Sequence, residues 1–222
     1  MDILLLITRV VFNFTIFIIF ATFHEYMHGW MAYRCGDSTA KQNGRLSLNP
    51  FVHIDPFWTI IMPAILLFST GGRFAIGSAK PVPVNPYLMR NPKTDIIWVG
   101  LAGPMANVGW ALILIALMKG LINFEILTPA SPIYTLLFVC MYVNLILLVF
   151  NMLPVPPLDG SRIIEGLLAS KYAVKYQRIA PYMFVVLIAL MYFGLFGRLF
   201  GLVLQLIMYA FNLAGPQRFG LL

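Results

Sequence analysis

Apolar residues fall in five runs along the 222-residue chain, separated by polar stretches rich in proline, glycine and asparagine. Crossing the ~30 Å hydrocarbon core of a bilayer takes about 20 residues of helix, so run length decides what each can do. Ile3 to about Trp30 is long enough to span with tilt, and Arg9 within it can snorkel to the nearer interface. Phe57 to Ser69 is shorter than a span and contains Pro63, which predicts a re-entrant or interfacial segment. Ile96 to Met118 and Ile133 to Met152 have spanning length. Tyr182 to Phe211 exceeds one span and is broken by Gly194, Gly197, Arg198 and Gly201, so it reads as one tilted helix or as a helix with a hairpin partner. Gly197 and Gly201 have the small-xxx-small spacing that predicts close helix packing.

The intervening stretches carry their own patterns. Gly36 to Pro50 has a turn signal at Asn43-Gly44 and alternation over Arg45-Leu46-Ser47-Leu48, predicting a short hairpin or edge strand. Lys80 to Pro86 holds three alternating prolines; it must be extended and cannot join a central strand. In Leu158 to Ser170, Ile163, Ile164, Leu167 and Leu168 repeat at helical spacing opposite Arg162 and Glu165, which predicts an interfacial amphipathic helix. The expected fold is an all-α polytopic membrane protein, one domain over residues 1–222, with a small membrane-associated β-hairpin.

Composition sharpens this picture. With 60% hydrophobic and 10% charged residues and a mean hydropathy of +0.86, the chain can build no ordinary water-facing surface, and disorder is excluded for the same reason. A signal peptide fits poorly at the N-terminus, because Asp2 stands where a basic n-region belongs and no A-x-A site precedes His24. The net charge of +7 does not indicate nucleic acid, since the basic residues sit singly between apolar runs instead of clustering on a polar face. Cys35 and Cys140 lack CxxC spacing and read as small apolar fillers.

The same charges orient the chain. If the second run does not cross, residues 33–95 and 153–181 share one side and hold Arg34, Lys41, Arg45, Arg73, Lys80, Arg90, Lys93, Arg162, Lys171, Lys175 and Arg178, against Lys119 alone opposite. That bias marks the shared side as cytoplasmic. A crossing second run would divide these residues between the two faces.

The candidate chemistry begins with His24-Glu25-Tyr26-Met27-His28, the HExxH of this chain. Histidines at i and i+4 share a helix face, so both imidazoles can reach one metal while the adjacent Glu25 addresses a metal-bound water. Ionisable groups at membrane depth default to function. A catalytic zinc takes three protein ligands and keeps a position open. His53, Asp55, Asp95, Asp159 and Glu165 are the candidates for the third, and Asp159 is favoured. It ends Asn151-Met152-Leu153-Pro154-Val155-Pro156-Pro157-Leu158-Asp159, where prolines stop the helix and leave irregular backbone of the kind tolerated at depth beside a cavity. His53, between Asn49-Pro50 and Asp55-Pro56, reads as structural. The topology supports the assignment: the first and fourth runs approach the same face only if the second fails to cross.

HEYMH at the end of a membrane helix, GDSTAKQNGRLSLNP, AKPVPVNP, LAGPMAN and NMLPVPPLDG together resemble the site-2 protease family of intramembrane zinc metalloproteases in its compact prokaryotic form. The likeness runs from about His24 to Gly160 and weakly beyond. It implies one zinc held by His24, His28 and Asp159, Glu25 as catalytic base, and Asn151 as a group contacting substrate or oxyanion; Asn107 contacts substrate by the same likeness or, as an Asn among Gly and Ala on a membrane helix, hydrogen-bonds between helices. It also implies a three-helix core within about residues 3–160, made of runs one, three and four, followed by amphipathic and transmembrane helices over about 158–211. The implied setting is the prokaryotic plasma membrane with the site opening to the cytosol, and the implied partner is a substrate helix unwound at the scissile bond. Unwinding frees backbone groups that need partners, and edge pairing with Arg45–Asn49 is the expectation. No PDZ-like insert or CBS domain stands within these residues, and Met27 occupies a place where many members have a small residue. Gly103-Pro104 reads as a kink or close packing. The alternative, a zinc or proton-coupled transporter using the same His/Asp cluster, predicts paired internal repeats, and no second HExxH or Asn-to-Asp segment is present.

Overall fold

The computed structural model describes residues 3–69 and 77–213, so Arg73 of the charge pattern lies outside the described residues. The first run forms α1 (Ile3–Arg34), 32 residues or about 48 Å at 1.5 Å per residue. A helical turn, α2 (Thr39–Gln42), follows. Asp55 accepts from the backbone N–H groups of Phe57 and Trp58 and caps a turn at Pro56–Ile61 that continues into α3 (Met62–Ser69). After an extended 77–85 come α4 (Pro92–Asn123) and α5 (Pro132–Asn151). The C-terminal part comprises α6 (Asp159–Leu167), α7 (Ser170–Arg178), α8 (Ala180–Tyr192) and α9 (Leu195–Ala210).

Among the described residues three helices, α1, α4 and α5, are long and apolar enough to cross a membrane, as the first, third and fourth runs require. The segment Pro56–Leu66 is apolar but too short, in line with a re-entrant or interfacial reading. The fifth run is divided: α8 and α9 are bent by 68° at a break where Gly194 takes a left-handed φ of 70°.

The bundle packs on a main apolar core, with a smaller cluster of Ala32, Met89, Ile96 and Val99 beside it. Ile16 and Phe20 of α1, Ala111, Leu114, Ile115 and Met118 of α4, and Tyr134, Phe138, Met141 and Leu145 of α5 are buried together. Trp110 presents its ring against Phe20 and Phe23 with centroids 5.6 and 5.1 Å away, fastening α4 to α1. From α9, Phe196 meets Phe150 and Phe200 meets Tyr142, at 5.5 and 5.0 Å between centroids. Among the described residues the packing expected of Gly197 and Gly201 is absent: a Cβ at either would meet nothing within 4 Å. Aromatic side chains of α5 and α9 meet at this contact, and neither glycine lies against a neighbour.

The expected hairpin is also absent, for the described residues contain no strand. Asp37 Oδ1 accepts from the N–H and the hydroxyl of Thr39, and this local turn starts the helix Thr39–Gln42 on the near side of the Asn43-Gly44 turn, where a hairpin needs its first strand. Asn43-Gly44 does turn, with Gly44 at φ 65°. The residues after it are held by side-chain bonds. Arg45 donates to the carbonyls of Val52 and Lys80, the latter at 2.8 Å. Asp37 Oδ2 accepts from the Asn85 N–H at 2.7 Å. Lys80 N–H donates to the His53 carbonyl at 2.8 Å. The proline-rich 80–86 segment is extended as predicted, and these bonds lay it beside the end of α1.

The predicted amphipathic helix is α6, ending at Leu167, a little short of Ser170. It lies on the first half of α4 because glycine removes the obstacle on both sides. A Cβ at Gly166 would sit 2.3 Å from Ile97 Cγ1 and 2.7 Å from the Lys93 carbonyl, and one at Gly100 would sit 3.0 Å from Arg162 Cβ.

Candidate metal centre

HEYMH falls in the last third of α1, where helical spacing sets His24 and His28 one above the other. Both are buried, at 4% and 3% exposed. Their rings face α4. His28 Nδ1–H donates to the Val99 carbonyl at 2.6 Å, while His24 Nδ1 lies 3.0 Å from the Asn107 amide. Val99, Gly103 and Asn107 are spaced by four, so one stripe of α4 meets both imidazoles. Gly103 lies between them, and a Cβ there would come within 2.3 Å of His28 Nε2 and 2.7 Å of His24 Nε2. The missing side chain is the space the rings occupy.

Asp159 arrives from the other direction. Gly160 lets the chain fold back tightly, because a Cβ on it would stand 2.5 Å from the carbonyls of Met152 and Leu153. The Tyr176 hydroxyl of α7 holds the Pro154 carbonyl of the same loop at 2.6 Å. Asp159, buried at 6% exposed, places Oδ2 3.0 Å from His24 Nε2 and 3.1 Å from His28 Nε2, and the two Nε2 atoms are 3.0 Å apart. Burial alone would push this carboxyl up. The two neighbouring imidazoles outweigh burial and hold it well below the usual carboxylate range.

Three ligand-type atoms from two distant segments thus form a near-equilateral triangle. A tetrahedral centre with bonds of about 2.0–2.1 Å sets its ligand atoms about 3.3 Å apart. The residues present therefore fit a zinc ion. Among the described residues this is the one His/Cys/Asp/Glu group close enough to hold a metal. Glu25, half-buried on the same turn, accepts from the Val82 N–H at 2.8 Å through Oε2.

Comparison with known proteins agrees with this chemistry. The chain is 39% identical over 173 residues to "Putative zinc metalloprotease YwhC" of Bacillus subtilis, covering 76% of this chain and 74% of that protein. The chain belongs to peptidase family M50. The family's sequence model matches residues 119–194. "Putative zinc metalloprotease Rip2" of Mycobacterium tuberculosis is 29% identical over 86% of this chain and 70% of its own length. "Putative zinc metalloprotease MJ0611" of Methanocaldococcus jannaschii is 37% identical over 30% of this chain and 32% of its own. No solved structure matches. The protein is accordingly a membrane zinc metalloprotease of the site-2 protease family, which sets the transporter alternative aside.

Each remaining third-ligand candidate has other work within this M50 chain. Asp55 caps its helix, Asp95 accepts from the Asn91 N–H at 2.9 Å, and Glu165 accepts from Gln177 Nε2 at 2.5 Å. His53 is 1% exposed and bonds the Ser47 carbonyl through Nε2 at 2.8 Å, a loop-fastening role. Asn151 donates to the Leu147 carbonyl of its own helix at 2.9 Å. Asn107, fully buried, faces His24. Sequence reasoning missed the Val99 carbonyl, the Val82 N–H and the weight carried by Gly103. The readable signal was the α4 stripe Gly100, Gly103, Asn107, in which two absent side chains and one polar group share a face. Burial pushes the Cys35 thiol up and Asp95 acts the same way, as suits a packing thiol.

Proposed function

We propose that the chain cuts membrane-anchored proteins within their transmembrane segments, with His24, His28 and Asp159 as zinc ligands and Glu25 as general base. The observation that carries this reading is the buried convergence of His24 Nε2, His28 Nε2 and Asp159 Oδ2 beside the end of a membrane-length helix. Held by these three residues, zinc would supply Lewis-acid activation of the attacking water and of the scissile carbonyl. Glu25 takes a proton from the attacking water and returns it to the leaving amide nitrogen. The Val82 N–H engages Oε2 and thereby aims the carboxylate. Asn151, at the end of α5, is the side-chain donor proposed for the oxyanion.

The site opens to the cytoplasm, a reading supported by the distribution of basic residues, and the membrane is the prokaryotic plasma membrane, a reading supported by the bacterial and archaeal relatives. A helical substrate hides its carbonyls, so it unwinds at the scissile bond, and the 45–49 segment, which follows the Gly44 turn without entering a sheet, offers backbone partners. Proline placed at Leu46 or Leu48 should lower cleavage with zinc retained; unchanged cleavage would remove that segment from substrate binding.

The main test uses purified protein, reconstituted with a panel of single-span membrane substrates, and compares wild type with Glu25→Gln. Retained zinc with cleavage reduced about 10²–10⁴-fold is expected. Equal cleavage by both proteins would sink the proposal.

A further inference from the structure

Helix α4 touches both histidines through atoms that differ in kind. The Val99 carbonyl can only accept, so the proton of His28 sits on Nδ1 and its Nε2 presents a lone pair to the Asp159 side. His24 also turns Nε2 toward Asp159, and its Nδ1 faces the amide of Asn107 at 3.0 Å. A neutral imidazole that ligates through Nε2 must carry its proton on Nδ1. That N–H needs an acceptor, and the Asn107 amide is the group beside it. With the amide nitrogen turned toward His24, both groups present donors and the Asn107 Oδ1 is left buried with no partner. Amide oxygen and nitrogen are exchanged by a simple flip, and the hydrogen-bond network decides between them.

We infer that Asn107 is the positioning residue for His24, its Oδ1 accepting the Nδ1–H and so committing Nε2 to zinc. This rests on the ligand assignment proposed above, and it replaces the substrate contact that the family likeness suggested for Asn107. A side chain 0% exposed and 3.0 Å from the far side of a ligand ring is placed to act through that ring. Val99 and Asn107 then form a matched pair on α4, one backbone carbonyl and one side-chain carbonyl, each fixing one histidine's tautomer.

The test needs a readout other than cleavage. Only three histidines are present, so ¹⁵N-histidine spectra of the zinc-loaded full chain in micelles can assign each ring's tautomer. His24 is expected to be protonated at Nδ1 with Nε2 on zinc. An unprotonated Nδ1 on His24 would overturn the inference even if no variant folds. In chelator competition, Asn107→Leu should weaken zinc binding by about 10–100-fold, while Asn107→Asp, which keeps an acceptor in place, should stay within a few-fold of wild type. Wild-type affinity in N107L, or equal loss in both variants, would reduce the residue to packing. Zinc held through His24 with Nδ1 protonated, in a chain that cuts no membrane substrate, would defeat the proposed function and uphold the role of Asn107.

Discussion

Helix α4 packs in two styles along its length. Near its start, Gly100 and Gly103 meet α6 and α1 through side chains they do not have, and Asn107 is the one large group on the stripe. Further along, Ala111, Leu114, Ile115 and Met118 interdigitate with Ile16 and Phe20 of α1 and with Phe138, Met141 and Leu145 of α5. The first region brings backbones close so that ring nitrogens and a carboxylate can share a few ångströms. The second fills volume with side chains and anchors the helices that the first region aligns. One helix therefore separates geometric precision from cohesive packing, and damage to each half should look different.

The sharpest break would be Gly103→Ala. Its Cβ would stand 2.3 Å from His28 Nε2, and the ring cannot retreat while Nδ1 holds the Val99 carbonyl. Zinc affinity should fall by at least about 100-fold and cleavage to background, with helical content retained; metal analysis of the purified protein checks this. Phe138→Ala, in the cohesive half, should have the opposite signature. Loss of a fully packed ring should cost about 3 kcal/mol, seen as a lower melting temperature, while zinc stoichiometry stays at one. A zinc loss in that variant would show that the two halves are not separable.

Smaller effects sharpen the boundary. Asp37 is fully buried and serves Thr39 and Asn85, so Asp37→Ala should cost about 1–3 kcal/mol and open 78–86 to proteolysis. Because Val82 of that segment bonds Glu25, cleavage should drop more than zinc content. Gly197→Ala should do least, with stability unchanged or raised by up to ~1 kcal/mol, because a Cβ there meets nothing within 4 Å and alanine favours helix. A marked loss would show that the glycine face is covered in the membrane.

Much of this was legible in the chain. Run length identified α1, α4 and α5 as long and apolar enough to cross a membrane, and HExxH spacing placed His24 and His28 on one face, because both properties depend only on local pattern. Proline placement announced the extended 80–86 segment and the loop before Asp159. The hairpin at 36–50 was misread because the alternation of Arg45-Leu46-Ser47-Leu48 carried less weight than the Asp37 turn and the reach of Arg45 to carbonyls of other segments. Gly197 and Gly201 were read as a seam that the described residues do not show, whereas the close packing expected of Gly103 is made against the rings of His24 and His28. Spacing states which glycines share a face; it is silent on what lies across from them.

The sequence by itself determined that the chain is built for a membrane, which runs have spanning length and which residue types can bind a metal. These follow from composition and from periods of a few residues. Sequence favoured Asp159 among several carboxylates, but only tertiary structure brought it to the histidines and showed which groups of α4 lie against their ring nitrogens. Asp159 lies 135 residues from His24, and only the antiparallel approach of α1 and α4, with α6 folded back through Gly160, closes that separation to 3.0 Å.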